Sequence, residues 1–119
     1  MKLEVGQFVR TKDGIIAKVD YIDNDTIFFD KELYRTYGDS IDFLEKDNLE
    51  RIVKASYNII DILEIGDYVN GRKVVDIFYD ANDNVMNICV LGSIVYDNNE
   101  IKSIITHEQM EQMAYKVEE

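Results

Sequence analysis

Short apolar runs separated by Gly, Asn and Asp recur along this chain, and where a run is long enough to show a period, the period is two. Ala17, Val19 and Tyr21 fall on alternate positions, as do Val75, Ile77 and Tyr79, which predicts strands with one buried face. Strands are expected over residues 7–10, 15–21, 26–30 and 49–53, and again over 68–70, 73–79, 85–90 and 101–105, bounded by the turn-forming residues that mark hairpins. Two segments break the pattern. Thr106-His107-Glu108-Gln109 fits a capping box, and Met110, Met113, Ala114 and Val117 follow at helical spacing, predicting a short C-terminal helix. The stretch from Ser56 to Leu63 is apolar enough to be buried and to join what flanks it. The chain has no proline, so sharp turns fall to Gly14, Gly38, Gly71, Gly92 and the Asn/Asp clusters.

The strands come in two sets. Leu3-Glu4-Val5-Gly6-Gln7-Phe8-Val9-Arg10 aligns with Leu63-Glu64-Ile65-Gly66-Asp67-Tyr68-Val69-Asn70 at an offset of 60, every apolar position kept apolar. With a turn two residues shorter in the second copy the offset becomes 58, matching Ile16 to Val74, Val19 to Ile77, Tyr21 to Tyr79 and Ile27 to Val85. Leu49 to Val53 can be laid on Ile101 to Ile105 at an offset of 52. Each half opens on an apolar-Gly-polar-aromatic-Val run, then a Gly turn and a long strand. Over residues 5–19 and 65–77 this resembles the SH3-like small barrels, KOW and Tudor-type modules among them. The expectation is a mainly β chain: two tandem SH3-like barrels packed together, residues 1–59 and 60–119, with a short C-terminal α-helix. A single antiparallel sandwich with a shared core is the alternative, since a barrel of about 55 residues is marginal alone.

Composition narrows the chemistry. There are 13 basic and 24 acidic side chains in 119 residues, a net charge of −11, and such a surface repels phosphate backbones, which argues against direct nucleic-acid binding. No apolar run is long enough to span a membrane and Met1-Lys2-Leu3-Glu4 leads into no signal-peptide apolar region, so a cytoplasmic location is expected. With one cysteine, Cys89, and one histidine, His107, neither an internal disulfide nor a Cys/His zinc site is expected. No nucleophile has a base at motif spacing: Cys89 reads as strand packing and His107 as a solvated first-turn residue. Asp80-Ala81-Asn82-Asp83-Asn84 opens like a calcium loop but has Val85 and Leu91 where Gly and Glu are needed, and no phosphate-binding Gly motif occurs. No catalytic residue, metal or cofactor is therefore assigned.

Two asymmetries between the halves point to binding. From Ile27 to Leu49 is 22 residues but from Val85 to Ile101 is 16, and the extra residues of the first half carry Tyr34, Arg35 and Tyr37, types that dominate binding hot spots. The competing reading folds those tyrosines back onto the barrel. Residues 1–59 carry 9 basic and 12 acidic side chains, net −3, and residues 60–119 carry 4 and 12, net −8. Asp76, Asp80 and Asp83 are candidates for an acidic face that steers onto a basic groove.

The join from Ala55 to Gly71, the segment from Ile101 to Gln109 and the opening from Met1 to Gly14 resemble a group of small phage and prophage proteins of Gram-positive bacteria. That resemblance implies a genomic setting and no mechanism. The expected function is non-catalytic inhibition of a host defence or nucleic-acid-handling protein. Two alternatives stay open: a sponge for a nucleotide-derived immune signal, held by Tyr34, Arg35 and Tyr37, and an assembly module forming a homo-oligomer through Met110 and Met113.

Overall fold

The computed structural model describes residues 2–30, 35–36 and 40–117, with backbone only for 35–36 and 113–117. The first half forms β1 (Phe8–Thr11), β2 (Ile16–Asp23), β3 (Thr26–Asp30), β4 (Arg35–Thr36), β5 (Phe43–Glu45) and β6 (Ile52–Ser56). The second forms β7 (Tyr68–Val69), β8 (Arg72–Tyr79), β9 (Val85–Val90), β10 (Ile94–Tyr96), β11 (Ser103–Ile105) and α1 (His107–Val117). One sheet runs β5-β3-β2-β1-β6 and the other β10-β9-β8-β7-β11, all antiparallel. In both, a 3₁₀ turn precedes the last strand, over Lys46–Arg51 and Asn98–Glu100. The chain is thus mainly β, two small barrels packed together with a short C-terminal helix. β4 leaves the first barrel and pairs parallel with β11 of the second, Arg35 opposite Ser103 and Thr36 opposite Ile104.

The repeat is real, but its middle lies in a different register from the one the sequence suggests. Val19 N–H donates to Gln7 O at 2.8 Å and Gly6 N–H to Val19 O at 2.9 Å. The same two bonds in the second barrel join Val74 to Asp67 at 2.7 Å and Gly66 to Val74 at 2.9 Å. Val19 therefore corresponds to Val74, and each is followed by a bulge. The cause is the first turn. Five residues lie between the paired Arg10 and Ile16, whereas Asn70-Gly71 alone links the paired Val69 and Arg72, both at positive φ as a tight two-residue hairpin requires. The bulges also correct the predicted buried faces: Tyr21, Val75 and Tyr79 point outward, 50%, 42% and 57% exposed. Likewise Ile27 corresponds to the buried Ile88, not to Val85, because each pairs across from the half-buried Ile of its long strand, Ile22 or Ile77.

Two apolar cores result. Leu3, Val9, Ala17, Val19, Ile27, Leu44 and Ile52 fill the first, and Ile62, Leu63, Val69, Val74, Ile88, Val90, Ile101 and Ile104 belong to the second. β1 is buried on both faces. Val9 points into its own barrel, while Phe8 and, from β2, Ile16 pack in the second core. Each such side chain stabilises by roughly 1.5–3 kcal/mol when withdrawn from water, so the crossing couples the barrels. Of the stretch expected to be buried, Ile59, Ile60, Ile62 and Leu63 are, the first three in a 3₁₀ turn at Ile59–Ile62, while Tyr57 and Asn58 are exposed.

Candidate functional site

The densest chemistry lies where the barrels meet. Arg10, on the outward-alternating side of β1, is fully buried against the second barrel. Its Nη1 donates to Asp67 Oδ2 at 2.6 Å and to Ile62 O at 3.1 Å, and its Nη2 donates to Asp67 Oδ1 at 2.9 Å and to Glu108 Oε1 at 2.6 Å. This is a bidentate pair with a second carboxylate added, a geometry that guanidinium alone among side chains can satisfy. Asp67, also fully buried, further accepts from Glu64 N–H at 2.7 Å and His107 N–H at 2.9 Å. One carboxylate thus holds β1, the entry to β7 and the first turn of α1.

Around this pair the charges are arranged in sequence. His107 Nε2 lies 2.7 Å from Glu64 Oε1, and Lys54 Nζ lies 3.1 Å from Glu64 Oε2. His107 is therefore half-buried and partnered, not the solvated residue the sequence suggests. Burial alone would push the Glu64 carboxyl up, but the His107 hydrogen bond and the charges of Arg10 and Lys54 hold it below the usual carboxylate range. For Arg10, burial works against the charge, yet the bonds and charges of Asp67 and Glu108 outweigh it and raise the guanidinium pKa above its ordinary value. The predicted capping box closes α1: Thr106 N–H donates to Gln109 Oε1 at 3.2 Å and Gln109 N–H to Thr106 Oγ1 at 3.3 Å. Thr106 Oγ1 also donates to Gly14 O at 2.8 Å, pinning the helix to the first turn of the first barrel.

Glu64, His107 and Glu108 each bring a ligand atom within 4.8 Å of the others, a spacing a metal ion could bridge. Arg10 Nη2 sits 2.6 Å from Glu108 Oε1 and 3.5 Å from Glu64 Oε1, so a guanidinium already fills the cationic position. The cluster is an internal clamp. Beside it, a groove of about 460 Å³ is lined by Lys54, Asp61, Glu64, Tyr79, Asp83 and Val85 among others.

Of the residues singled out in the sequence, Asp83 lines that groove at φ 62°, while Asp80 Oδ1 accepts from Asn82 and Asn84 N–H at 2.8 and 3.1 Å and closes the β8–β9 turn. Asp76 accepts from Ile77 N–H at 2.8 Å on the outer face of β8. Tyr34 and Tyr37 lie outside the described residues, and for Arg35 only the backbone position in β4 is described. The last strands are also shifted: Val9 pairs with Ala55 and Val69 with Ile104, so Ile52, not Leu49, corresponds to Ile101, and Leu49 lies in the 3₁₀ turn before β6. Ile27 to Ile52 then spans 25 residues and its counterpart, Ile88 to Ile101, spans 13, so the insertion is longer than first read. No family model, curated protein or solved structure matches the chain.

One surface escaped sequence reasoning. On the outer face of the first barrel Tyr21, Phe28 and Phe43 sit side by side on β2, β3 and β5. Tyr21 and Phe28 are stacked, with ring centroids 4.5 Å apart and planes 8° from parallel, and Phe43 lies 6.4 Å beyond. Tyr21 and Phe43 are half exposed. Asp23, Thr26 and Glu45 form the next cross-strand row on that face, and Asp20 stands at the adjoining bulge. The signal was the adjacent pair Phe28-Phe29: in a strand one of two neighbours must point outward. At the corresponding positions the second barrel has Asp76, Cys89 and Val95.

Proposed function

We propose that this chain is a non-catalytic binding protein of a phage or prophage, which inhibits a host defence or nucleic-acid-handling protein by occupying its site. The observation that carries the reading is the aromatic row of the first barrel. Stacked, half-exposed rings recur nowhere at the matching positions of the second barrel, so the barrel plan does not require them, and carboxylates border them. Aromatic area with a negative rim suits a basic surface: the rings supply contact and cation–π attraction, and the charge steers encounter. The Arg10 clamp supports the same reading, since its charged groups are bound to one another and not offered to a substrate.

The test is capture of a host protein from lysate at low and at high salt, with intact protein and with Tyr21→Ser/Phe43→Ser. A stoichiometric partner that is retained at low salt, released at high salt and lost with the double variant supports the reading. A melting temperature raised by nucleotides, with no protein partner, points to the sponge. A defined homo-oligomer with neither points to the assembly module.

A further inference from the structure

The two barrels differ at one end. In the second, the 3₁₀ turn Ile59–Ile62 closes the opening, with Ile59, Ile60 and Ile62 all buried in the core, and Ile60 N–H donates to Asn98 Oδ1 at 3.0 Å. Ile62, Leu63 and Ile88 belong to that core, Ile77 packs against it, and Asn98 is bonded to the turn. Carried back through the corrected repeat, Ile62, Leu63, Ile77, Ile88 and Asn98 correspond in order to Lys2, Leu3, Ile22, Ile27 and Lys46. Those five residues, together with Leu49 of the 3₁₀ turn Lys46–Arg51, line an open pocket of about 310 Å³ in the first barrel. Leu3 and Ile27 belong to its core, Ile22 and Leu49 are half-buried against it, and Lys2 and Lys46 are exposed.

We infer that this open end receives a short apolar helical turn of a partner protein, its Ile, Leu or Val side chains entering the pocket and an adjacent carboxylate meeting Lys2 and Lys46. The second barrel is the template. There the same end is filled by Ile59-Ile60-Asp61-Ile62, an apolar turn with a carboxylate inside it. Charge completes the argument: two of the 13 basic side chains of a chain at net −11 stand where the closed end has Ile62 and Asn98. A purely apolar occupant would leave both ammonium groups unanswered. The volume lies near the lower limit for a ligand pocket and suits two or three side chains, not a whole helix. The inference is independent of the functional reading above, because it concerns the barrel end and not the aromatic row.

The experiment uses the full chain and a synthetic peptide with the sequence of residues 56–65, followed by amide chemical shifts. Expected are saturable shifts centred on Lys2, Leu3, Ile22, Lys46 and Leu49, and none from a control peptide with serine at the three isoleucines of the turn. Lys2→Glu/Lys46→Glu, two exposed changes that leave the core intact, should weaken binding at least about tenfold, since each reverses a charge facing the peptide carboxylates. Absence of shifts at millimolar peptide, or shifts centred elsewhere, overturns the inference. So does a pocket that binds dodecanoate but not the peptide, or one whose shifts grow with protein concentration alone, which would assign it to a lipid or to a second copy.

Discussion

The two barrels share a plan and spend their side chains differently. The second is closed on itself: a two-residue Asn-Gly turn, an isoleucine turn over one end, and Asp76, Cys89 and Val95 on the outer face. The first keeps a five-residue turn, an open end and an outer row of stacked rings. Within one molecule, then, one copy shows what the fold needs and the other shows what has been added. Gly6 and Gly66, at φ 93° and 99°, and the paired Val19 and Val74 belong to the first category. Arg10, with Asn70 at the repeat position, and the Tyr21-Phe28-Phe43 row belong to the second.

The largest effect expected from breaking this difference is at Arg10. Arg10→Ala leaves Asp67 buried with its negative charge uncompensated and should lower stability by about 3–5 kcal/mol, read from the denaturant midpoint. Asn70→Ala removes bonds within the second barrel, to Glu100 O, Lys102 N–H and Ser103 N–H, and leaves Ala at φ 53°, and should cost less, about 1–3 kcal/mol. Equal losses would mean that the clamp joining the barrels carries no special weight.

The first turns give a second contrast. Gly14 and Gly71 have nearly the same φ, 83° and 82°, but a Cβ on Gly14 would come within 2.8 Å of Glu108 Cβ, and one on Gly71 meets nothing within 4 Å. Gly71→Ala should cost about 1–2 kcal/mol from backbone strain alone. Gly14→Ala adds the steric conflict and should cost more, and it should also disturb α1, visible as lost helical signal in circular dichroism.

A pH series sharpens the junction further. Because the folded-state pKa of Glu64 is depressed, its contribution is present above the ordinary carboxylate range and is lost as pH falls through the lowered value. Stability of the intact chain should therefore decline in acid more steeply than that of Glu64→Gln, compared by denaturant midpoints between neutral and acidic pH. Parallel curves would remove Glu64 from the linkage.

How much of this was legible beforehand depends on which physical rule governed each residue. The long hairpin strands, the duplication and the Thr106 capping box follow from periodicity and local hydrogen-bond chemistry, and the fold repeats them, whereas the strand expected over 49–53 is a 3₁₀ turn as far as Arg51 and begins at Ile52. The register between Val19 and Val74 does not follow from periodicity, because the length of one turn shifts a strand without altering its apolar pattern. The burial of Arg10 was hidden for a related reason. In a strand whose two faces are both covered, an outward position is still interior, and only the packing of the second barrel makes it so. Tyr21 was assigned to the core by alternation and lies outside because of the bulge that follows Val19. The acidic candidates Asp80 and Asp76 were chosen for charge, while the hydrogen bonds that occupy them come from turn and bulge geometry.

The smallest effect on stability and the largest on binding should come from the aromatic row. Tyr21→Ser/Phe43→Ser removes half-exposed rings and one stacked pair, about 0.5–1.5 kcal/mol. Asp76→Ser/Val95→Ser changes the matching positions of the second barrel and serves as the internal control. The decisive measurement is therefore quantitative capture of the proposed host partner by these two variants and the intact chain, side by side at low salt. The account predicts that the first variant loses the partner by at least about tenfold and the second retains it. Equal retention by both, with both folded, would contradict the claim that the first barrel's outer face is the binding face.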